Sequence, residues 1–121
     1  MPKSLVACWN PLAPESAARW TPVAGLQGKV EQLTLSQDPE TGEYTRLVRF
    51  LPGADTTALG GNVHRYPEET FIVSGRLYEH ASRQWLEQGH YVSRGPGELH
   101  GPVTTDVGCV VLEISFPGRT G

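Results

Sequence analysis

The stretch that decides the fold is Asn62-Val-His64-Arg-Tyr66-Pro-Glu68-Glu69-Thr-Phe-Ile-Val-Ser-Gly75. It brings an imidazole and two adjacent carboxyl groups together just before an apolar, β-branched run that a glycine ends. Side chains at alternate positions of a β-strand share one face, so Asn62, His64 and Tyr66 are predicted to point the same way. A proline breaks that strand, which leaves open the face on which Glu68 and Glu69 lie. An imidazole and a carboxylate this close in sequence form a natural pair of metal ligands.

A second stretch supplies another histidine, His100, three residues after the turn Gly95-Pro-Gly97. This histidine is predicted to lie at the edge of a different strand. Two histidines and one carboxylate from two strands suit Fe(II), Mn(II), Zn(II), Ni(II) or Co(II). Three protein ligands leave coordination positions open for substrate or water, which is typical of a catalytic site. Spacing alone also fits ordinary core or surface histidines and a solvated acidic turn.

The chain around these stretches alternates short apolar runs with glycine, proline and aspartate turns. Residues 29–36 and 43–51 are predicted to form a hairpin, because residues 38–42 have strong turn chemistry. The further predicted strands are residues 62–66, 69–74, 76–80, 84–87, 90–93 and 107–116. Several short strands with turns at regular spacing indicate an all-β sandwich or barrel.

Composition narrows the class of protein. The 121 residues suffice for one domain, and 14 glycines with 10 prolines leave no uninterrupted stretch longer than 76–88, which excludes a helix bundle. The net charge of −3 gives no sign of the basic surface that nucleic-acid-binding proteins carry. No apolar run approaches the ~20 residues of a membrane span. Two cysteines in unrelated contexts do not indicate a disulfide scaffold, and no secretory leader is recognisable. We therefore expect a cytoplasmic protein that binds neither nucleic acid nor membrane.

Residues 1–27 are predicted to form an N-terminal arm, and residues 28–121 a single β-barrel domain. The arm holds four prolines, which predict no regular element apart from one helical turn at residues 15–19. It also holds Trp9 and Trp20, whose large rings predict packing on the domain's own flank or on a second subunit.

The first stretch resembles the first motif of the cupin superfamily, whose fold is an all-β double-stranded β-helix, or jelly-roll barrel. That motif runs His, any residue, His, three or four residues, Glu, six residues, Gly. With His64 as the second histidine, Glu68 and Gly75 fall in register. Taking His64 as the first histidine would put Tyr66 in the second place and leave too short a loop to Glu69.

The second stretch resembles the second cupin motif, which runs Gly, five residues, Pro, any residue, Gly, two residues, His, three residues, Asn. Gly89, Gly97 and His100 fall in register, whereas Gly95 stands in place of the proline and Thr104 in place of the asparagine. The resemblance extends over about residues 28–117. Within the superfamily the chain is most similar to small members akin to the ChrR-type anti-sigma-factor domain and to dioxygenases that cleave acetylacetone or dihydroxyacetophenone.

The resemblance implies one divalent transition metal, Fe, Mn, Zn or Ni, held by His64, Glu68 and His100. Asn62 replaces the first histidine of the family motif, and an amide oxygen is a poorer ligand than an imidazole for such metals. Asn62 is therefore expected to be a weak fourth ligand or a hydrogen-bonding neighbour. Glu69 is the substitute ligand if the strand parity is shifted by one residue.

Further polar side chains are candidates for the surroundings of this site. Tyr66, Tyr78 and His80 are the candidate catalytic residues, with Arg49 and Glu113 as additional neighbours. Each also has a plain structural interpretation, as a rim aromatic, a hairpin residue, an exposed strand position or a buried ion-pair partner.

The resemblance implies a metal-dependent enzyme that acts on a small oxygenated organic molecule. With iron, the implied reaction is dioxygenase cleavage of a diketone-like substrate. With zinc, manganese or nickel, redox-neutral isomerase, decarboxylase or lyase chemistry is implied. The alternatives are a non-catalytic ligand-binding or sensor module and a cupin that binds no metal. Because small cupins commonly pair through N-terminal segments or packed sheets, a homodimer is also implied.

Overall fold

The computed structural model describes residues 7–60, 62–63, 67–95 and 97–115, with the backbone alone for residues 62, 63, 99 and 100. The described residues form two short 3₁₀ helices, Pro14–Arg19 and Thr57–Leu59, and ten strands. The strands are β1 (Thr21–Pro22), β2 (Val30–Gln37), β3 (Tyr44–Phe50), β4 (Asn62–Val63), β5 (Glu68–Glu79), β6 (Gln84–Glu87), β7 (Tyr91–Arg94), β8 (Leu99–His100), β9 (Val103–Thr104) and β10 (Cys109–Ser115). The prediction of an all-β fold is confirmed.

The strands form a curled antiparallel sheet in the order β1-β2-β3-β10-β5-β6. Strand β5 is central, because β7 and β9 also pair with it. Strands β4 and β8 form a separate two-stranded ladder, in which Asn62 pairs with His100. The two stretches singled out from the sequence are therefore joined by backbone pairing.

The β2–β3 hairpin forms where the sequence predicts it. The Asp38 side chain accepts a hydrogen bond from the backbone N–H of Glu40 (2.9 Å), and Gly42 adopts a φ of +79°, which favours glycine. On β3 the residues alternate between the two faces of the sheet. Val48 and Phe50 belong to the inner apolar cluster, whereas Leu47 packs in the outer one.

Strand β5 corrects one prediction. Residues 69–74 and 76–80 were expected to be separate strands that Gly75 divides, but one strand runs from Glu68 to Glu79. Gly75 lies inside it with a φ of +72°, and the pairing with β10 shifts register next to it, between Val110 and Val111. A glycine in this conformation together with a bulge bends a strand without ending it. The bend lets the first half of β5 pair with β7 and the second half with β6 and β9.

Two apolar clusters hold the sheet together. The inner cluster lies inside the curl and includes Val48, Ile72 and Val111, of which Ile72 and Val111 are fully buried. The outer cluster consists of Trp20, Leu33 and Leu47 with partly buried neighbours. The sheet is thus apolar on both faces, and its outer face is covered in part by the segment that precedes it.

The predicted arm contributes to that outer cluster. Trp20 is buried, its indole N–H donates to the carbonyl oxygen of Pro11 (3.3 Å), and the Arg49 guanidinium lies 4.1 Å from the centre of its ring. Trp20 therefore packs on the flank of its own domain, which is one of the two expectations for it. The arm also contains the two-residue strand β1, which the sequence did not predict. Pro22 is tolerated there because β1 is an edge strand, where a missing N–H leaves no pairing unmade.

Candidate functional site

A cavity of about 200 Å³ lies inside the curl of the sheet. Much of its wall is apolar and comes from the inner cluster. The charged residues among its described lining are Arg46, Glu68, Glu79, Arg94 and Glu113. Its volume lies below the roughly 300–1,000 Å³ of pockets for drug-sized ligands, so it fits a small molecule.

Glu68 is the carboxyl group most affected by this cavity. It is the first residue of β5, only 4% of it is exposed, and the Tyr44 hydroxyl donates to its Oε2 (3.4 Å). Burial, and then the neighbouring charge of Glu113, raises the pKa of Glu68 to about 7, against the opposing effect of Arg46. A carboxyl group held this way is stabilised as an anion by any cation that enters the cavity.

Two ion pairs line the same cavity. Arg46 Nε donates to Glu113 Oε1 at 2.7 Å, and Arg94 Nη2 donates to Glu79 Oε1. Glu79 also accepts a hydrogen bond from the Ser82 hydroxyl (2.6 Å). Burial alone would raise the pKa of Glu79, but the hydrogen bonds from Arg94 and Ser82 hold that pKa below its ordinary value. Glu79 is therefore a carboxylate whose charge is partnered by Arg94.

Glu69 lies on the opposite face of β5 from Glu68. Its carboxylate accepts a hydrogen bond from the Tyr91 hydroxyl, and it borders a small outer groove together with Phe71 and Tyr91. The strand parity that the sequence left open therefore places Glu68 on the cavity side and Glu69 outside.

The predicted catalytic candidates Tyr78 and His80 are not brought to the cavity. Tyr78 lies between Leu77 and Glu79, which line the cavity, so alternation along β5 turns Tyr78 outward. Its ring makes an edge contact with the His80 ring (centroids 4.9 Å apart) and another with Trp85 (5.4 Å). The two residues belong to an aromatic cluster on the outer face.

The other two neighbours predicted from the sequence fall on different faces. Arg49 is on the outer face, where it pairs with Glu31 (2.9 Å) and stacks on Trp20. Glu113 lines the cavity beside Arg46, as a buried ion-pair partner.

The structure describes the predicted histidine ligands only in part. His64 and Tyr66 lie outside the described residues, and for His100 and Asn62 the backbone alone is described. Among the side chains that are described, no group of three His, Cys, Asp or Glu is placed to hold a metal ion. Among the predicted ligands, the side chains of Glu68 and Glu69 are described, and of these two Glu68 lines the cavity.

Two features of the described residues are compatible with a divalent metal. Glu68 offers a buried carboxyl whose pKa is raised by burial and by the neighbouring charge of Glu113. The β4–β8 ladder joins the backbone of Asn62 to that of His100, so the two predicted ligand segments meet. Carboxylate with imidazole is a donor set that suits first-row transition metals.

Sequence reasoning missed Arg46, Glu79 and Arg94 as cavity residues. A signal was present for two of them, because each continues the inward alternation of an apolar strand. Arg46 precedes Val48 and Phe50 on one face of β3, and Glu79 follows Leu77 on β5. A charged side chain among the inward-facing positions of a strand indicates a polar group inside the barrel.

The curled antiparallel sheet encloses a cavity, and the two motif-bearing segments meet where β4 pairs with β8. This architecture is that of a cupin. The sequence agrees, because residues 12–115 match the family described as the ChrR cupin-like domain. The chain therefore belongs to the ChrR cupin-like family. A comparison with curated proteins finds no match.

Solved structures share the fold at low sequence identity. An acetylacetone dioxygenase from Acinetobacter johnsonii is 17% identical with a TM-score of 0.70, over 96% of this chain and 77% of that one. An RmlC-like cupin from Shewanella frigidimarina is 16% identical with a TM-score of 0.71, over 98% and 96%. The anti-sigma factor ChrR, solved in complex with SigE of Rhodobacter sphaeroides, gives 21% identity and a TM-score of 0.62, over 80% of this chain and 49% of the other. At these identities the likeness establishes the fold alone.

In the part of the chain that the structure describes, no helix has the length and apolar character needed to cross a lipid bilayer.

Proposed function

We propose that the protein is a metal-dependent enzyme that acts on a small oxygenated organic molecule inside the cavity. Glu68, His64 and His100 would hold one divalent transition metal, with Asn62 beside them. The observation that carries the proposal is Glu68, a buried carboxyl with a pKa raised to about 7 in a cavity of small-ligand size.

The chain's own residues have distinct tasks in this proposal. A metal bound there supplies Lewis acidity and open coordination positions for a substrate oxygen. Tyr44 donates a hydrogen bond to Glu68 and so orients its carboxyl, in the way that outer hydrogen bonds orient metal ligands. The Arg46–Glu113 ion pair holds a positive and a negative group at fixed positions in the wall, and the inner apolar cluster excludes water, which strengthens electrostatic interactions in the cavity.

The specific reaction that we propose to test first is oxidative cleavage of a diketone-like substrate. The acetylacetone dioxygenase from Acinetobacter johnsonii shares the fold over 96% of this chain, which supports the choice. A non-catalytic sensor is the second candidate, because the matching family is the ChrR cupin-like domain and ChrR was solved with a sigma factor.

The test is metal analysis by mass spectrometry on protein purified without chelators or metal-affinity steps. We expect about one equivalent of a transition metal in the wild type and its loss in His64→Ala, His100→Ala and Glu68→Gln. Two matched controls are expected to keep the metal. Glu69→Gln removes the neighbouring carboxylate on the outer face, and His90→Ala removes an exposed imidazole that accepts a hydrogen bond from the backbone N–H of Glu87.

The outcomes separate the candidates. A wild type that holds no metal and takes up none of Fe(II), Mn(II), Zn(II) or Ni(II) refutes the metal site. Metal that survives Glu68→Gln but is lost in Glu69→Gln refutes the assignment of Glu68. Where the metal is present, oxygen uptake with 1,3-diketones supports the dioxygenase, and metal binding without turnover of any oxygenated substrate supports the sensor.

A further inference from the structure

Gln32 is a polar residue at the end of an apolar row that crosses the inner face of the sheet. From Gln32 on β2 the row continues through the paired residues of β3, β10 and β5, which are Val48, Val111 and Ile72. These three belong to the inner cluster, as does Val30, which precedes Gln32 by two residues on the same face of β2. Gln32 itself lines the cavity. Any apolar side chain would complete such a row, so packing does not require an amide there.

The carboxamide of Gln32 is open to the cavity. The residue is half-buried, and its backbone carbonyl oxygen accepts a hydrogen bond from the Thr21 hydroxyl (3.4 Å), whereas its side chain bonds to no described residue. Among the described residues, the buried side-chain polar atoms that lack a partner are Arg94 Nε and Ser115 Oγ, so the amide atoms of Gln32 keep accessible surface. An amide exposed in this way is hydrated. A ligand that displaces this water loses affinity unless it supplies an equivalent hydrogen bond.

Most other polar groups in the described lining are engaged within the protein. The two ion pairs join four of the charged side chains. The Thr56 hydroxyl accepts from the backbone N–H of Val103 (2.9 Å). Among the uncharged polar residues of the described lining, this leaves Gln32 and Thr70 as those whose side chains make no hydrogen bond to a described residue. They are therefore the two neutral groups that a ligand in the cavity can bind.

We propose that Gln32 binds an uncharged hydroxyl group of the substrate, at the end of the molecule that the metal does not hold. The inference rests on the proposed function, in which an oxygen at the other end of the substrate lies on the metal beside Glu68. Gln32 and Glu68 lie on strands that β3 and β10 separate, and both line one cavity of about 200 Å³, so a small ligand can contact both. A carboxamide donates and accepts, and a hydroxyl can pair with either of its atoms, whereas a carbonyl oxygen serves the N–H alone.

The experiment compares 4-hydroxybutan-2-one with pentan-2-one, in which a methyl group replaces the hydroxyl, as probes. Dissociation constants are measured by chemical-shift titration of the zinc-loaded protein, and zinc content is measured on the same samples. Because pentan-2-one is the more apolar probe, the ratio of the two constants is compared between variants. Gln32→Met keeps the length of the side chain and removes the amide, so it should lower the relative affinity for the hydroxy ketone roughly three- to tenfold.

Three further variants keep the result interpretable. Gln32→Leu also removes the amide, so it should show the same loss with a different apolar side chain. Gln37→Met is the matched control, because it makes the same substitution on the same strand at an exposed residue outside the cavity lining, and it should keep the wild-type ratio. Thr70→Val removes the other available hydroxyl without changing the shape of the side chain, and it should also keep that ratio.

The outcomes decide the role of Gln32 separately from the metal site. A wild-type ratio in both Gln32→Met and Gln32→Leu overturns the proposal, and a loss in Thr70→Val alone assigns the hydroxyl to β5 instead. A zinc-loaded wild type that binds neither probe overturns it as well. A wild type that takes up no zinc overturns the metal site, and the same titrations of the metal-free protein then decide the role of Gln32 by the same criterion.

Discussion

Alanine at position 75 would collide with the backbone of the turn that precedes β10. An added Cβ would lie 2.0 Å from the carbonyl oxygen of Gly108, 2.8 Å from its carbonyl carbon and 2.9 Å from the Cα of Cys109. None of these atoms belongs to a side chain that can rotate away. That oxygen also accepts a hydrogen bond from the backbone N–H of Arg76 (3.2 Å), so pushing it aside weakens the pairing as well.

The expected loss of stability has two parts. A φ of +72° costs an alanine about 1–2 kcal/mol, and forcing a methyl group into a filled space costs about 1–3 kcal/mol more. Gly75→Ala should therefore lower the free energy of unfolding by about 2–5 kcal/mol. Gly28→Ala is the matched control, because Gly28 has a φ of +74° and no atom within 4 Å of its added Cβ, so it should lose only the first part.

Urea denaturation followed by tryptophan fluorescence measures both variants, since Trp20 is buried and reports on the outer cluster. Equal losses in the two variants, within about 0.5 kcal/mol, would show that φ alone decides and that the close approach of Gly75 to Gly108 is not limiting.

Three further predictions concern burial. Ile72→Ala should cost about 2–5 kcal/mol in urea denaturation, whereas Phe71→Ala, at a residue 42% exposed, should cost roughly 1 kcal/mol or less; equal costs would contradict the inner cluster. At pH 8 a thiol reagent should modify exposed Cys8 in the folded protein and leave Cys109 unreacted until denaturation, because burial raises the pKa of Cys109 to about 12. Burial also raises the pKa of Tyr44 to about 12, so stability should hold below about pH 10 and fall as pH rises from there towards 12; a Tyr44→Phe variant with the same alkaline decline would refute this.

The sequence predicted the strands that carry a clear alternation between turn residues. The 29–36 and 43–51 segments became β2 and β3, and the 84–87 segment became β6, with bounds within a residue or so. The sequence does not predict the short strand Val103–Thr104, which follows a proline. Two residues are too few to show an alternation of apolar and polar side chains, and this strand forms by pairing with β5. The sequence predicts a strand end at Gly75, because local chemistry cannot show that a facing backbone requires a glycine there.

The candidate site was predictable to a different degree at each residue. The motif spacing predicts Glu68 as a ligand. It does not predict the face of β5 on which Glu68 lies, because the proline before it interrupts the alternation of side chains along the strand. Arg94 carried no local signal, since β7 is exposed at alternate positions and nothing in its sequence names Glu68 as the opposite residue. Residues that meet across strands depend on register, which only the closed sheet defines.

The position of β10 between β3 and β5 has a consequence for how the chain reaches its native state. Residues 44–50 and 68–79 are synthesised first, yet each has an unpaired edge until residues 109–115 arrive to join them. Open strand edges attract other chains, and sheets built from pairings distant in sequence fold slowly. While residues 109–115 are still inside the ribosome, β3 and β5 each keep an unpaired edge. Removing these residues should therefore yield aggregates and not a smaller barrel.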